Sequence, residues 1–223
     1  MAVQWDYSSV WEVRSLNLRR GIGPLPDPNQ FRVLLFNGST LTKTMSKAAM
    51  LAAELLQQNG YARQPYNPTN ATYNATTQRA ELPRVTANYT GAGATLQWDA
   101  AAVLADCRAT SSRAISAIDA STDILTINSH GLTNGEEVTV STTDTFAGGL
   151  EGSLIYYAKV VTANAIQLCS DAATASVVNI TNAGVGTHHL RYAKGDIVFF
   201  GNFPGSQTIG DGVTESLQVD WKS

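Results

Sequence analysis

The sequence predicts an all-β protein with one short helix, in which a small β-module is set inside a second, different β-domain. Three observations lead there. Apolar residues fall mostly in short runs or at alternate positions, the periods of buried and half-buried strands. Turn signals rich in Gly, Pro and Asn punctuate those runs. Only one stretch, from about Ser46 to Gln58, carries helical spacing.

Taken in order, residues 1–30 read as an extended N-terminal arm. Trp5, Tyr7 and Trp11 are large anchors, followed by Arg14, Arg19 and Arg20 and then by Gly21-Ile22-Gly23-Pro24-Leu25-Pro26-Asp27-Pro28. Proline fixes φ and cannot donate a ladder hydrogen bond, so this segment favours an extended course. Aromatic side chains on an arm need a surface to pack against, either the arm's own domain or a neighbouring subunit. These six residues, Trp5, Tyr7, Trp11, Arg14, Arg19 and Arg20, are the candidate interface.

The body is expected over 31–112 and 192–223. Phe31 to Phe36 is a buried-strand candidate closed by Asn37-Gly38. Ser46 is the expected N-cap of the helix, Ala48, Met50, Leu51 and Leu55 its buried side, and Asn59-Gly60 its stop. Strands are then expected over 81–87, 95–99 and 101–106, with 195–200 and 215–221 completing the body.

The inserted module spans 113–191. Ile124, Thr126 and Asn128 alternate with Leu125, Ile127 and Ser129, as in a strand. Leu132-Thr133-Asn134-Gly135 supplies an Asn-Gly hairpin signal, and Glu136, Val138 and Val140 start the expected returning strand. Strand patterns follow at 154–161 and 165–168, and the module closes at 184–190. The run HGLTNGEEVTV…GGLEGSLIYYAKVVTANAIQLCSDAATA…NITNAGVGTHHL resembles a module that recurs in structural proteins of tailed bacteriophages. The surrounding order, FRVLLFNG, helix, strand pairs, GDIVFF and LQVDW, resembles a jelly-roll-like domain of phage head- and tail-decorating proteins. Asn59-Gly60 stands where Gly-Gly is commoner. Together these resemblances imply a virion component with a jelly-roll-like β-sandwich body.

Composition narrows the partners. Charged residues make up 15% of the chain and the formal net charge is -3, with no dense Lys/Arg stripe to attract nucleic acid. No apolar run approaches the ~18 residues of a membrane span, and the opening residues do not resemble a signal peptide. Synthesis in a host bacterial cytoplasm is therefore expected, with the virion as destination. Cys107 and Cys169 are too few for a disulfide framework and are expected as buried small apolar residues. The Asn-X-Thr matches at Asn70, Asn74 and Asn88 are chance matches in a Thr-rich chain.

Catalytic chemistry is not indicated. There is no GxSxG nucleophile elbow, and the glycine-rich pieces at 21–23, 91–93 and 201–205 read as turns rather than phosphate loops. His188 and His189 are adjacent on a strand and point to opposite faces, so they cannot both line one pocket. A metal site would need one of them with His130 and a carboxylate such as Asp123, and no HxH or HExxH spacing supports it. The pairs Glu136/Glu137 and Asp119/Asp123 read as solvated carboxylates. No catalytic residue, metal or cofactor is expected. Tyr156 and Tyr157 are the candidate surface-recognition residues, with Tyr61, Tyr66, Tyr73 and Tyr89 as further tyrosines on edges and loops.

The expected function is a non-enzymatic capsid decoration or cement protein. Its partners would be copies of itself, as a homotrimer by resemblance, and the major capsid protein or tail proteins, with neither nucleic acid nor membrane. The alternatives are a tail, adaptor or fibre-base protein, or a host-surface adhesin whose module binds glycan.

Overall fold

A computed structural model describes residues 4–7, 30–38, 40–67, 72–74, 76, 79–81 and 85–219, with the backbone alone at 4–7, 72–74 and 79–81. The fold is all-β with one helix among the described residues. In chain order the elements begin with β1 (Gln4–Tyr7), β2 (Arg32–Phe36), α1 (Lys47–Ala53), β3 (Gln64–Pro65), β4 (Thr72–Asn74), β5 (Arg79–Glu81), β6 (Val85–Thr90) and β7 (Leu96–Ala105). They continue with β8 (Ser112–Ile115), β9 (Ala117–Asp119), β10 (Ile124–Thr126), β11 (Glu137–Thr142), β12 (Tyr156–Thr162), β13 (Ala165–Cys169) and β14 (His188–Tyr192). The last two are β15 (Asp196–Ile209) and β16 (Thr214–Val219).

These elements form two compact units. One takes the described residues up to Met45, then Ala53–Thr110 and those from Gly195 onward; the other takes Ser46–Ala52 and Ser111–Lys194. No helix among the described residues is long and apolar enough to cross a membrane.

The first unit is built on an antiparallel sheet in the order β1-β15-β7-β2-β3, and β6 pairs with β16 as a separate two-stranded sheet. Both sheets contribute to one apolar core, with Val33, Leu35, Trp98 and Val103 from the larger and Tyr89 and Val219 from the smaller. β7 is buried without interruption from Ala100 to Ala105, the mark of a central strand covered on both faces. The expected strands at 95–99 and 101–106 are thus one strand. The jump in pairing from Asn202↔Ala100 to Gln207↔Trp98 leaves 203–206 bulged from β15 opposite Asp99.

β1 runs antiparallel to β15, pairing Gln4 with Asn202 through to Tyr7 with Phe199. Its four residues therefore fold back on their own sheet. Trp11, Arg14, Arg19 and Arg20 lie outside the described residues.

The second unit is inserted where two neighbouring strands meet. β7 ends at Ala105 and β15 begins at Asp196, and these two residues are paired. The chain can therefore leave and rejoin the first unit without disturbing its sheet. Gly195 makes the return at φ +111°, and a Cβ there would lie 2.1 Å from the Ala105 carbonyl oxygen. Only glycine fits this close approach.

The seven strands of the second unit lie in the order β8-β14-β11-β12-β13-β10-β9, all antiparallel. Its two edges, β8 and β9, are consecutive in the chain and separated only by Ser116, whose amide donates to the Thr126 carbonyl at 2.8 Å. One bent strand thus joins the two ends of the sheet, its first half paired with β14 and its second half with β10. Leu125, Val138, Val140, Tyr156, Leu168 and Leu190 fill the interior.

Three expectations change. The helix ends at Ala53, not Gln58, because the Leu55 amide is taken by the Leu35 carbonyl at 2.9 Å and Glu54 bridges to Phe36 on β2. Ser46 does cap it, its hydroxyl accepting from the Ala49 amide at 3.1 Å. Asn59 and Gly60 adopt positive φ in the loop beyond instead of stopping the helix. Next, α1 falls between two strands of the body in sequence yet belongs to the second unit. There Lys47 bonds Glu137, and Arg191 Nη1 donates to the Leu51 carbonyl at 3.1 Å. Last, Tyr61, Tyr66 and Tyr89 are buried core residues, not exposed contacts. The side chain of Tyr73 lies outside the described residues.

A buried ion pair locks the loop after α1. Glu54 and Arg63 have fully buried side chains, and Arg63 donates from Nη2 to Oε2 at 2.6 Å and from Nε to Oε1 at 2.7 Å. Tyr61 donates its hydroxyl to Glu54 Oε1 at 2.7 Å and accepts the Leu35 amide at 3.2 Å. Burial alone would lower the Arg63 pKa, but the Glu54 carboxylate more than offsets it and raises it above the usual value. Burial, and then the Glu54 charge, raise the Tyr61 phenol well above its ordinary range.

Removing one partner strands a buried charge, so Arg63→Met should cost about 3–5 kcal/mol in denaturant unfolding. The double variant Glu54→Leu/Arg63→Met should recover most of that loss. Equal stability of Arg63→Met and wild type would show that the pair does not hold this loop.

Candidate binding cleft

The site is built from the Asn134-Gly135 turn. That dipeptide signals a hairpin, but β10 and β11 are not paired; β12 and β13 lie between them in the sheet. The turn forms locally, with the Glu136 amide donating to the Thr133 carbonyl at 3.2 Å, and it docks on β12. Gly135 donates its amide to the Ala158 carbonyl, Ala158 returns its amide to the Glu136 carbonyl, and Val160 donates to Asn134 Oδ1 at 2.7 Å. Local turn chemistry sets φ but cannot choose the strand partner, which is decided by which residues the core needs inward.

The turn, the start of β11 and β12, and Lys194 at the end of the second unit line an open cleft of about 470 Å³, with Ala172 on its rim. Glu137 and Tyr157 are directly opposite each other in the β11–β12 register, so their side chains share a face. Tyr157 is half-exposed, whereas Tyr156 is 3% exposed and points to the core, where its hydroxyl accepts the Glu151 amide at 2.7 Å. Of the two tyrosines expected on the surface, only Tyr157 is there. The alternation was legible in the sequence, but which residue faces out depends on the register.

The two glutamates also differ from the expected solvated pair. Glu136 is buried, and its Oε2 accepts from the Thr133 amide and hydroxyl at 3.2 and 3.3 Å. Glu137 is bonded to Lys47 of α1. The rim at Ala172 is held by Asp171, which accepts the Ser176 amide at 2.7 Å and the Ala175 amide at 3.3 Å. Those bonds, Ser176 first, hold its carboxyl below the usual range by favouring the charged form. Gly135 sits at φ +78°, and a Cβ there would stand 2.7 Å from the Ala172 carbonyl oxygen.

The histidines do not converge on this cleft. His130 accepts the Leu132 amide at Nδ1, so Nε2 carries the hydrogen that reaches the Thr162 carbonyl at 2.8 Å. His188 is buried at the core face opposite Thr142, and His189 lies opposite Ser141 on the other face. Among the described residues no three His, Cys, Asp or Glu side chains are grouped as metal ligands. Cys107 and Cys169 are free and buried, and burial pushes the Cys107 thiol up to about 11.

Sequence reasoning passed over Lys47, Lys194, Glu54 and Arg63. Glu54 had a signal: it continues the buried stripe of Met50 and Leu51 at helical spacing, where a charge demands a partner. Lys194 had none. No protein-family model, no curated protein and no solved structure matches this chain. The cleft's chemistry therefore rests on its own residues.

Gly135→Ala should destabilise the protein by about 1–3 kcal/mol in chemical denaturation, since an L residue there is strained and crowded. A neutral effect would show that the turn is not held against Ala172. Partial burial, then the charges of Arg191 and His188, lower the His189 pKa, so the unfolded chain takes that proton first. Its stabilising contribution is complete above the ordinary value of about 6.5 and is lost as pH falls toward the lower folded value. His189→Gln should flatten the slope of Tm against pH between about 7 and 5; an unchanged slope would remove His189 as its source.

Proposed function

We propose that this chain is a non-enzymatic structural protein of a tailed-bacteriophage virion, acting as a capsid decoration or cement protein. It assembles in the host cytoplasm and stabilises the head through contacts among its own copies, a homotrimer, and with the major capsid protein. The observation that carries this reading is the run 130–190, whose motif order resembles the module of phage structural proteins. Its fold, inserted between the paired residues Ala105 and Asp196, suits a portable module on a jelly-roll-like body. A low charge content fits a subunit that spends its life packed against other protein surfaces. In this reading 1–30 supplies the anchoring contacts.

Gel densitometry of purified virions tests the placement. A cement protein should be present at hundreds of copies per particle; a number in the tens would assign it instead to the tail, adaptor or fibre base. A variant with Trp11, Arg14, Arg19 and Arg20 all replaced by Ala keeps β1 in place and should stay folded. It should no longer join particles in a complementation assay, and normal incorporation would remove the arm from the interface.

A further inference from the structure

We propose that the cleft of the second unit binds a neutral saccharide of one or two rings. This rests on the geometry of that unit alone, so its failure and the failure of the virion reading are separable.

The first support is the set of groups left unused. Among the described residues the Tyr157 hydroxyl, the Asn134 amide nitrogen and the Lys194 ammonium make no hydrogen bond, and all three residues line the cleft. Asn134 spends only its carbonyl oxygen, on Val160. Three donors and a carboxylate beside an aromatic ring form the combination that a sugar's hydroxyls and its apolar C–H face can satisfy together. The Glu137 carboxylate stands next to the Tyr157 ring through direct cross-strand pairing.

Charge decides between ligand classes. Among the lining residues Glu136 and Glu137 are acidic and Lys194 is basic, and Lys47 of α1 is bonded to Glu137. The lining therefore has no positive surplus, and among the described residues no three ligating side chains are grouped. A phosphate or nucleic-acid site needs a positive surplus, and a divalent cation needs a negative one with grouped ligands. A neutral, hydroxyl-rich molecule needs neither.

The cleft is also built in advance. Gly135 is confined by the Ala172 carbonyl, Ala172 by the Asp171 turn, and the Asn134 side chain by Val160. A preformed site loses less entropy on binding. Its volume of about 470 Å³ lies within the range of about 300–1,000 Å³ typical of ligand clefts.

The test uses the full-length protein labelled with nitrogen-15 and titrated with lactose, maltose, cellobiose and N,N′-diacetylchitobiose. At least one sugar should move the amides of Gly135, Glu137, Tyr157 and Ala172 together along a saturable curve. Tyr157→Ala should keep a dispersed spectrum and bind about tenfold more weakly, the loss of roughly one aromatic contact. Tyr157→Trp, which keeps the ring face, should restore the response. The proposal is overturned if no sugar gives a saturable shift at these amides, or if Tyr157→Ala binds as well as wild type. A tighter response to sialyllactose than to every neutral sugar would overturn the neutral assignment.

Discussion

The buried pair of Glu54 and Arg63 is the constraint around which the first unit is arranged. A charge without solvent must be matched in place, and here both side chains are fully buried and joined by two hydrogen bonds. Tyr61 extends the match to the backbone of β2 through the Leu35 amide. The pair therefore holds the loop that follows α1 and sets how 61–63 meets β2. Leu55 makes the same attachment by donating its amide to the Leu35 carbonyl. Apolar packing alone is less directional, so it would not set this path as sharply.

A different constraint shapes the second unit. An antiparallel sheet of this size has two edges that could pair with other chains. Here the edges are consecutive strands, so the segment from Ser112 to Asp119 joins the two ends of the sheet with its own backbone. The Asn134-Gly135 turn and the Asp171 loop connect the strands, and the cleft lies where they approach each other.

Several features are legible in the residues themselves. The all-β class follows from the period of the apolar residues, and the Ser46 cap from residue type. Alternation in 156–157 requires one tyrosine inside and one outside. Residue order cannot say which, because a one-residue change of register exchanges the faces. The Asn-Gly dipeptide correctly marks a turn with positive φ but misleads about hairpin pairing, since strand neighbours are chosen over tens of residues. Glu136 and Glu137 look equivalent in the chain, yet one is a buried acceptor for Thr133 and the other a partner of Lys47.

Residue order thus settles the local conformations: strand period, cap and turns. Those depend on neighbours within a few residues. The length of α1, its membership of the second unit, the outward face of Tyr157 and the pairing of Glu54 with Arg63 come instead from the folded arrangement. Each of these joins groups distant in the chain or depends on which acceptor a backbone amide meets across the sheet. Such pairings are set by burial and register over the whole unit, and no short stretch of residues contains that information.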